Sequence, residues 1–218
     1  MNLRTRVKIC GITNLEDAIA AVESGADALG FNTFEKSPRY LSPVRIREIA
    51  ESLPPYVSIV GLFVNASPDF VQNACHEVPF DLLQFHGDES DDYCSQFDLP
   101  FVKAIRVQTL EQLLSEAKKF PSSIGILFDA FDQAALGGTG RSFDWAFLKK
   151  DRQVQHIKKL NIILAGGLNP ENVIEAISEV APFAVDVSSG VETSPGKKNK
   201  LAMERFISAV QSADRSRI

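Results

Sequence analysis

One regularity constrains this chain more than any other: short apolar runs alternate with amphipathic ones from end to end. The apolar runs, predicted as strands, fall at 6–10, 27–31, 57–64, 81–86, 100–106, 123–129, 161–165 and 182–188. Stretches with helical spacing follow them at 15–24, 43–52, 68–76, 89–97, 108–119, 144–149, 170–180 and 198–211. Successive strand ends lie about 25 residues apart, the length of a strand, a loop and a short helix. Eight such units predict an α/β fold: a single (β/α)₈ barrel of eight parallel strands with outer helices, one domain over 1–218. An open doubly wound sheet also alternates strand with helix and is the competing architecture.

Capping residues support the helix assignments. Thr13 or Asn14 precedes 15–24, Ser42-Pro43 opens 43–52, and Asn169-Pro170-Glu171 opens 170–180 with proline at the first helical position. The polar tail after about Gln211 is expected to fray.

Composition removes several classes of function. The chain has 218 residues, a net charge of −5 and 23% charged residues, which offers no basic face for nucleic acid. No apolar run is long enough for a membrane span or a signal peptide. The three cysteines, at 10, 75 and 94, are odd in number and lack metal-ligand spacing, so a reducing, cytoplasmic setting without metal or other cofactor is expected. With no apolar stripe evident in the pattern, a monomer is expected.

In a barrel of this kind the chemistry gathers at the carboxyl ends of the strands. Cys10 ends the first run and Asp129 the sixth, so a lone thiol and a lone carboxylate make a candidate base and acid flanking one substrate. An apolar surround such as Phe128 is expected to favour protonated Asp129. Alternate side chains of a strand share a face, which groups Lys8 with Cys10, Gln84 with His86 and Asp186 with Ser188. The first and last strands of a closed barrel are neighbours, so Lys8 and Asp186 are expected to form an interior ion pair. The nearby cation is expected to lower the pKa of Cys10.

Two glycine-bearing turns, Ala165-Gly166-Gly167-Leu168-Asn169 and Asp186-Val187-Ser188-Ser189-Gly190-Val191-Glu192, follow the seventh and eighth strands. Backbone N–H groups of Gly166, Gly167, Ser188, Ser189 and Gly190 are thereby expected to bind a phosphate. A third cluster, Leu136-Gly137-Gly138-Thr139-Gly140-Arg141, has the flexibility to fold over a ligand, with Gly138 and Gly140 contacting it. Arg39, on the Lys36-Ser37-Pro38-Arg39-Tyr40 loop, suits a bidentate grip on a carboxylate. His86, in Gln84-Phe85-His86-Gly87, is expected to line the pocket as a neutral hydrogen-bonding group.

These blocks, with Lys8-Ile9-Cys10-Gly11-Ile12-Thr13, Gly61-Leu62-Phe63-Val64-Asn65, Phe128-Asp129 and Phe143-Asp144-Trp145, stand in an order that resembles the phosphoribosylanthranilate isomerase family. The resemblance covers nearly the whole chain. It implies a cofactor-free Amadori rearrangement in tryptophan biosynthesis, acting on a small molecule, N-(5-phosphoribosyl)anthranilate. Carried over, the base falls on Cys10, the acid on Asp129, the anthranilate-carboxylate arginine on Arg39 and the phosphate turns on Gly166, Gly167, Ser188, Ser189 and Gly190. The chain departs from the family pattern at Asn32-Thr33-Phe34-Glu35, where Glu35 brings negative charge towards Arg39, and at Asn199, which suits a helix cap. The rival readings are a histidine-pathway aminoaldose isomerase, which typically uses two aspartates, and a non-catalytic barrel that binds phosphorylated metabolites.

Overall fold

A computed structural model describes residues 4–106, 109–129 and 161–217. Eight parallel strands close on themselves in chain order: β1 (Arg6–Cys10), β2 (Ala28–Asn32), β3 (Ser58–Phe63), β4 (Leu82–Phe85), β5 (Phe101–Ile105), β6 (Gly125–Asp129), β7 (Asn161–Ala165) and β8 (Ala184–Val187). β1 pairs with β8 in the register Lys8 opposite Asp186, and the open-sheet alternative is thereby excluded. Helices pack outside the strands; the candidate at 144–149 lies outside the described residues.

The two faces of each strand enter different layers. Ile9, Leu29, Phe31, Phe63, Leu83, Phe85, Ile126, Phe128 and Leu164 form a continuous cluster with the helix residues Ala18, Ile46, Val71, Ala176 and Phe206. Val102, Ala104, Leu127, Ile163, Ala165 and Ala184 form a smaller cluster inside the barrel. Phe128 therefore faces the helices, away from its neighbour Asp129, and does not supply the apolar surround expected for that carboxyl.

Local chemistry sets the helix starts. Asn14 accepts from the Asp17 N–H at 2.8 Å, and Asn199 accepts from the Ala202 N–H at 3.0 Å, the cap expected there. Asn169 behaves differently. Its side chain accepts from the N–H groups of Glu171 and Asn172, which holds 170–172 as a turn and delays the helix to Val173–Val180. The expected fraying after Gln211 is also corrected: the last helix runs Lys200–Arg215, and buried Asp214 accepts from the Thr5 N–H and hydroxyl at 2.6 and 2.7 Å. That contact ties the end of the chain to the start of β1. A short hairpin, β9 (Glu192–Ser194) with β10 (Lys197–Lys198), follows β8 and was not expected.

Candidate active site

Parallel strands place Cys10, His86, Asp129 and the loops after β2, β7 and β8 on one rim, because each follows or ends a strand at its carboxyl end. Cys10 is buried at 8% exposure on the inner face of β1, above Lys8. Lys8 Nζ donates to Asp186 Oδ1 at 2.9 Å with both side chains buried, which is the interior pair expected from sequence. A Cβ added at Gly30, opposite Cys10 on β2, would come within 2.9 Å of Cys10 Sγ and 3.0 Å of Lys8 Nζ. Glycine there makes room for the thiol and the ammonium together.

The electrostatics of the thiol correct one expectation. Burial pushes the Cys10 thiol above its ordinary value; Lys8 and Lys198 pull it down, while Asp186 pushes it up again. Desolvation disfavours the charged form, and here it outweighs both ammonium groups. Burial acts on Lys8 in the opposite sense, but the Asp186 carboxylate, helped by Cys10, prevails and holds the Lys8 ammonium above its ordinary value.

Arg39 is already engaged. Its Nε and Nη2 donate to Glu192 Oε1 and Oε2 at 2.8 and 2.6 Å, a bidentate pair that uses one edge of the guanidinium. Among the described residues nothing hydrogen-bonds to Nη1 on the other edge. The acid beside Arg39 is thus Glu192, whereas Glu35 is exposed. Glu192 is also held by Lys198, whose fully covered Nζ lies 2.7 Å from Oε1 and donates to the Cys10 carbonyl at 2.6 Å and the Ser188 carbonyl at 3.3 Å. Burial alone would raise Glu192, but its bonds to Arg39 and Lys198 hold it below the usual carboxylate range. Sequence reasoning missed Lys198 and the role of Glu192. The signal available was a lysine on a Pro-Gly-Lys-Lys turn, and a two-residue strand has no periodicity to mark it.

On the facing wall, His86 Nε2 lies 3.3 Å from Asp129 Oδ2, with both side chains 18% exposed. His86 therefore partners the candidate acid as well as lining the mouth. A cleft of about 460 Å³ opens beside His86, between the loops after β4 and β5; Cys10, Arg39 and Asp129 do not line it. Behind it, buried Lys103 binds Glu89 at 3.2 Å and the carbonyls of Phe85 and Gly87, fixing the turn that carries His86.

The two C-terminal turns meet closely. Gly166 and Gly167 adopt φ of 79° and 65°, a left-handed pair that only glycine enters without strain. Ser189–Val191 forms a single 3₁₀ turn, and Gly190 abuts the Leu168 carbonyl so tightly that any Cβ would overlap it. Thus Gly166, Gly167, Ser188, Ser189 and Gly190 come together, while Gly138 and Gly140 lie outside the described residues.

A closed eight-stranded barrel with a thiol, a carboxylate and a paired arginine at the carboxyl ends of its strands has the architecture of the metabolic (β/α)₈ enzymes. The model of the N-(5′-phosphoribosyl)anthranilate isomerase family matches residues 7–209, and the chain belongs to that family. It is 47% identical over 209 residues to the isomerase of Hahella chejuensis, covering 96% of this chain and 95% of that one. The isomerase of Citrifermentans bemidjiense is 51% identical over 203 residues, covering 93% and 95%. Among solved structures, the Thermotoga maritima isomerase matches with TM-score 0.83 at 42% identity, over 95% of this chain and 99% of that one. A second isomerase structure, in complex with reduced 1-(o-carboxyphenylamino)-1-deoxyribulose 5-phosphate, matches with TM-score 0.81 at 40% identity over the same shares.

Proposed function

We propose that this chain converts N-(5-phosphoribosyl)anthranilate to 1-(2-carboxyphenylamino)-1-deoxyribulose 5-phosphate by an Amadori rearrangement, as a cytoplasmic, monomeric enzyme of tryptophan biosynthesis. The observation that carries the reading is the placement of Cys10 and Asp129 at the ends of β1 and β6, on separate walls of one mouth. Protonated Asp129 donates to the furanose ring oxygen while the anthranilate nitrogen opens the ring to a Schiff base. Cys10, as thiolate, removes the C2′ proton, and the resulting enolamine tautomerises to the ketone.

Burial makes the thiol a weaker acid and so a stronger base once ionised, while Lys8 and Lys198 stabilise the thiolate that does form. The phosphate sits on Gly166, Gly167, Ser188, Ser189 and Gly190. The anthranilate carboxylate takes the edge of Arg39 that Glu192 leaves open. The solved relative that holds a reduced deoxyribulose 5-phosphate supports this choice of product.

Freshly made phosphoribosylanthranilate tests the reading, because its fluorescence disappears as it rearranges. Enzyme-dependent loss of signal with formation of the ketose supports it. Tight binding without turnover would favour the metabolite-binding barrel. The dimeric Thermotoga maritima isomerase has also been solved as generated monomers, so sedimentation of this chain decides its own state.

A further inference from the structure

Gln84 is the anomaly of the barrel interior. It points inward from β4 at 1% exposure, within a layer built from Leu82, Val102, Ala104 and Leu127. Its Nε2 lies 3.3 Å from His86 Nδ1, and its Oε1 is buried with no hydrogen-bond partner among the described residues. An apolar side chain would fill that space without leaving a polar atom unsatisfied, and a buried orphan of this kind calls for an explanation. His86 in turn reaches Asp129 through its other ring nitrogen.

The two ends of a glutamine amide have nearly the same shape and opposite hydrogen-bonding sense. With Nε2 towards the ring, Gln84 donates to Nδ1, so neutral His86 carries its proton on Nε2 and gives it to an ionised Asp129. With Oε1 towards the ring, Gln84 accepts from Nδ1–H. His86 Nε2 is then the acceptor, and Asp129 must supply the proton between them. Among the described residues either orientation leaves one end of the amide unpaired, so the bond to the ring is what distinguishes the two.

We propose that Gln84 is a positioning residue whose amide selects the tautomer of His86 and thereby holds Asp129 with or without its proton. This rests on the reading of Asp129 as the acid. The Oε1-inward form is the loaded enzyme and the Nε2-inward form the discharged one. They differ by one proton, which passes from Asp129 to the sugar ring oxygen and is restored from solvent through the partly exposed His86. Other charges face the pair: Lys103 with Glu89 from behind, Asp88, Asp91 and Arg106 around the cleft, and the Lys8–Asp186 pair across the interior. None of them hydrogen-bonds to Gln84 or His86 among the described residues, so the tautomer is set between the Gln84 amide and the Asp129 carboxyl.

Two variants and one spectrum decide this. Gln84→Glu can only accept from the ring, and Gln84→Met fills the space without a hydrogen bond. The high-pH limb of kcat, where the acid loses its proton, should move up by roughly one pH unit in the first and stay in place in the second, because the Gln84 amide pairs with the ring in both forms and its loss weakens them alike. KM should change less than about threefold in each, as befits a group that does not touch substrate. Nitrogen-15 NMR of the full chain should show neutral His86 protonated on Nε2 at alkaline pH in the parent and on Nδ1 throughout in Gln84→Glu. Lowered kcat with an unmoved limb in Gln84→Glu, or the same tautomer in the parent and that variant, overturns the proposal. The spectrum needs no substrate, so absent turnover in the parent would sink the activity reading while the tautomers still decide the relay.

Discussion

Cys10 lies between opposing influences: dehydration and Asp186 hold its proton on, and the ammonium groups of Lys8 and Lys198 draw it off. A base must be ionised to act, so kcat/KM should rise with pH through the thiol's titration. Lys8→Met removes a cation that lowers this value and leaves the Asp186 carboxylate unpaired, and both changes raise the thiol further. The low-pH limb of kcat/KM should therefore move to higher pH by roughly one unit, with neutral-pH turnover down about tenfold and partly recovered in alkali. An unmoved limb would mean that the thiol is not the titrating base. At this scale the sequence made the rim positions of Cys10, Asp129 and Arg39 and the Lys8–Asp186 pair legible, because strand ends and alternation determine which side chains share a face. The sign of the thiol's shift was not legible, because it depends on how much water the fold removes from residue 10. Glu192 as the partner of Arg39 was equally hidden, since 153 positions separate them.

The loops after β7 and β8 act as one element because Gly190 lets the second turn rest on the Leu168 carbonyl of the first. Gly190→Ala should push them apart and weaken the grip on the phosphate while leaving Cys10 and Asp129 in place. KM should rise at least about tenfold, some 1.4 kcal/mol of binding, with a smaller change in kcat. Titration of the phosphorylated product against the variant checks this, and unaltered affinity would place the phosphate elsewhere. The strands were readable to within a residue or two from their apolar runs. Two elements were not. The hairpin of β9 and β10 is too short for any period to appear, and the start of the helix at Val173 was set by the Asn169 side chain rather than by Pro170.

For the molecule as a whole, closure depends on joining β1 to β8, and the last helix is tied to the residue before β1. Met203, Phe206, Ile207, Val210 and Ala213 carry the apolar stripe of that helix to its end, and Asp214 then binds Thr5 twice. Asp214→Ala leaves the buried Thr5 N–H without its partner and the Thr5 hydroxyl without its acceptor, at a cost of about 1–3 kcal/mol. Thermal unfolding should begin roughly 2–10 °C lower, with the rate at 25 °C little changed; an unchanged Tm would show that the tie contributes nothing. Eight repeats made the barrel readable, but a polar tail gave no sign that its aspartate docks on the first strand. We propose that thiol and carboxylate act on one sugar from separate walls. This is tested most directly by the single-turnover rates of Cys10→Ala and Asp129→Asn on fresh phosphoribosylanthranilate, with folding checked by circular dichroism. Each rate should fall roughly 10²–10⁴-fold while substrate still binds; a folded variant that keeps the parent rate would contradict the account.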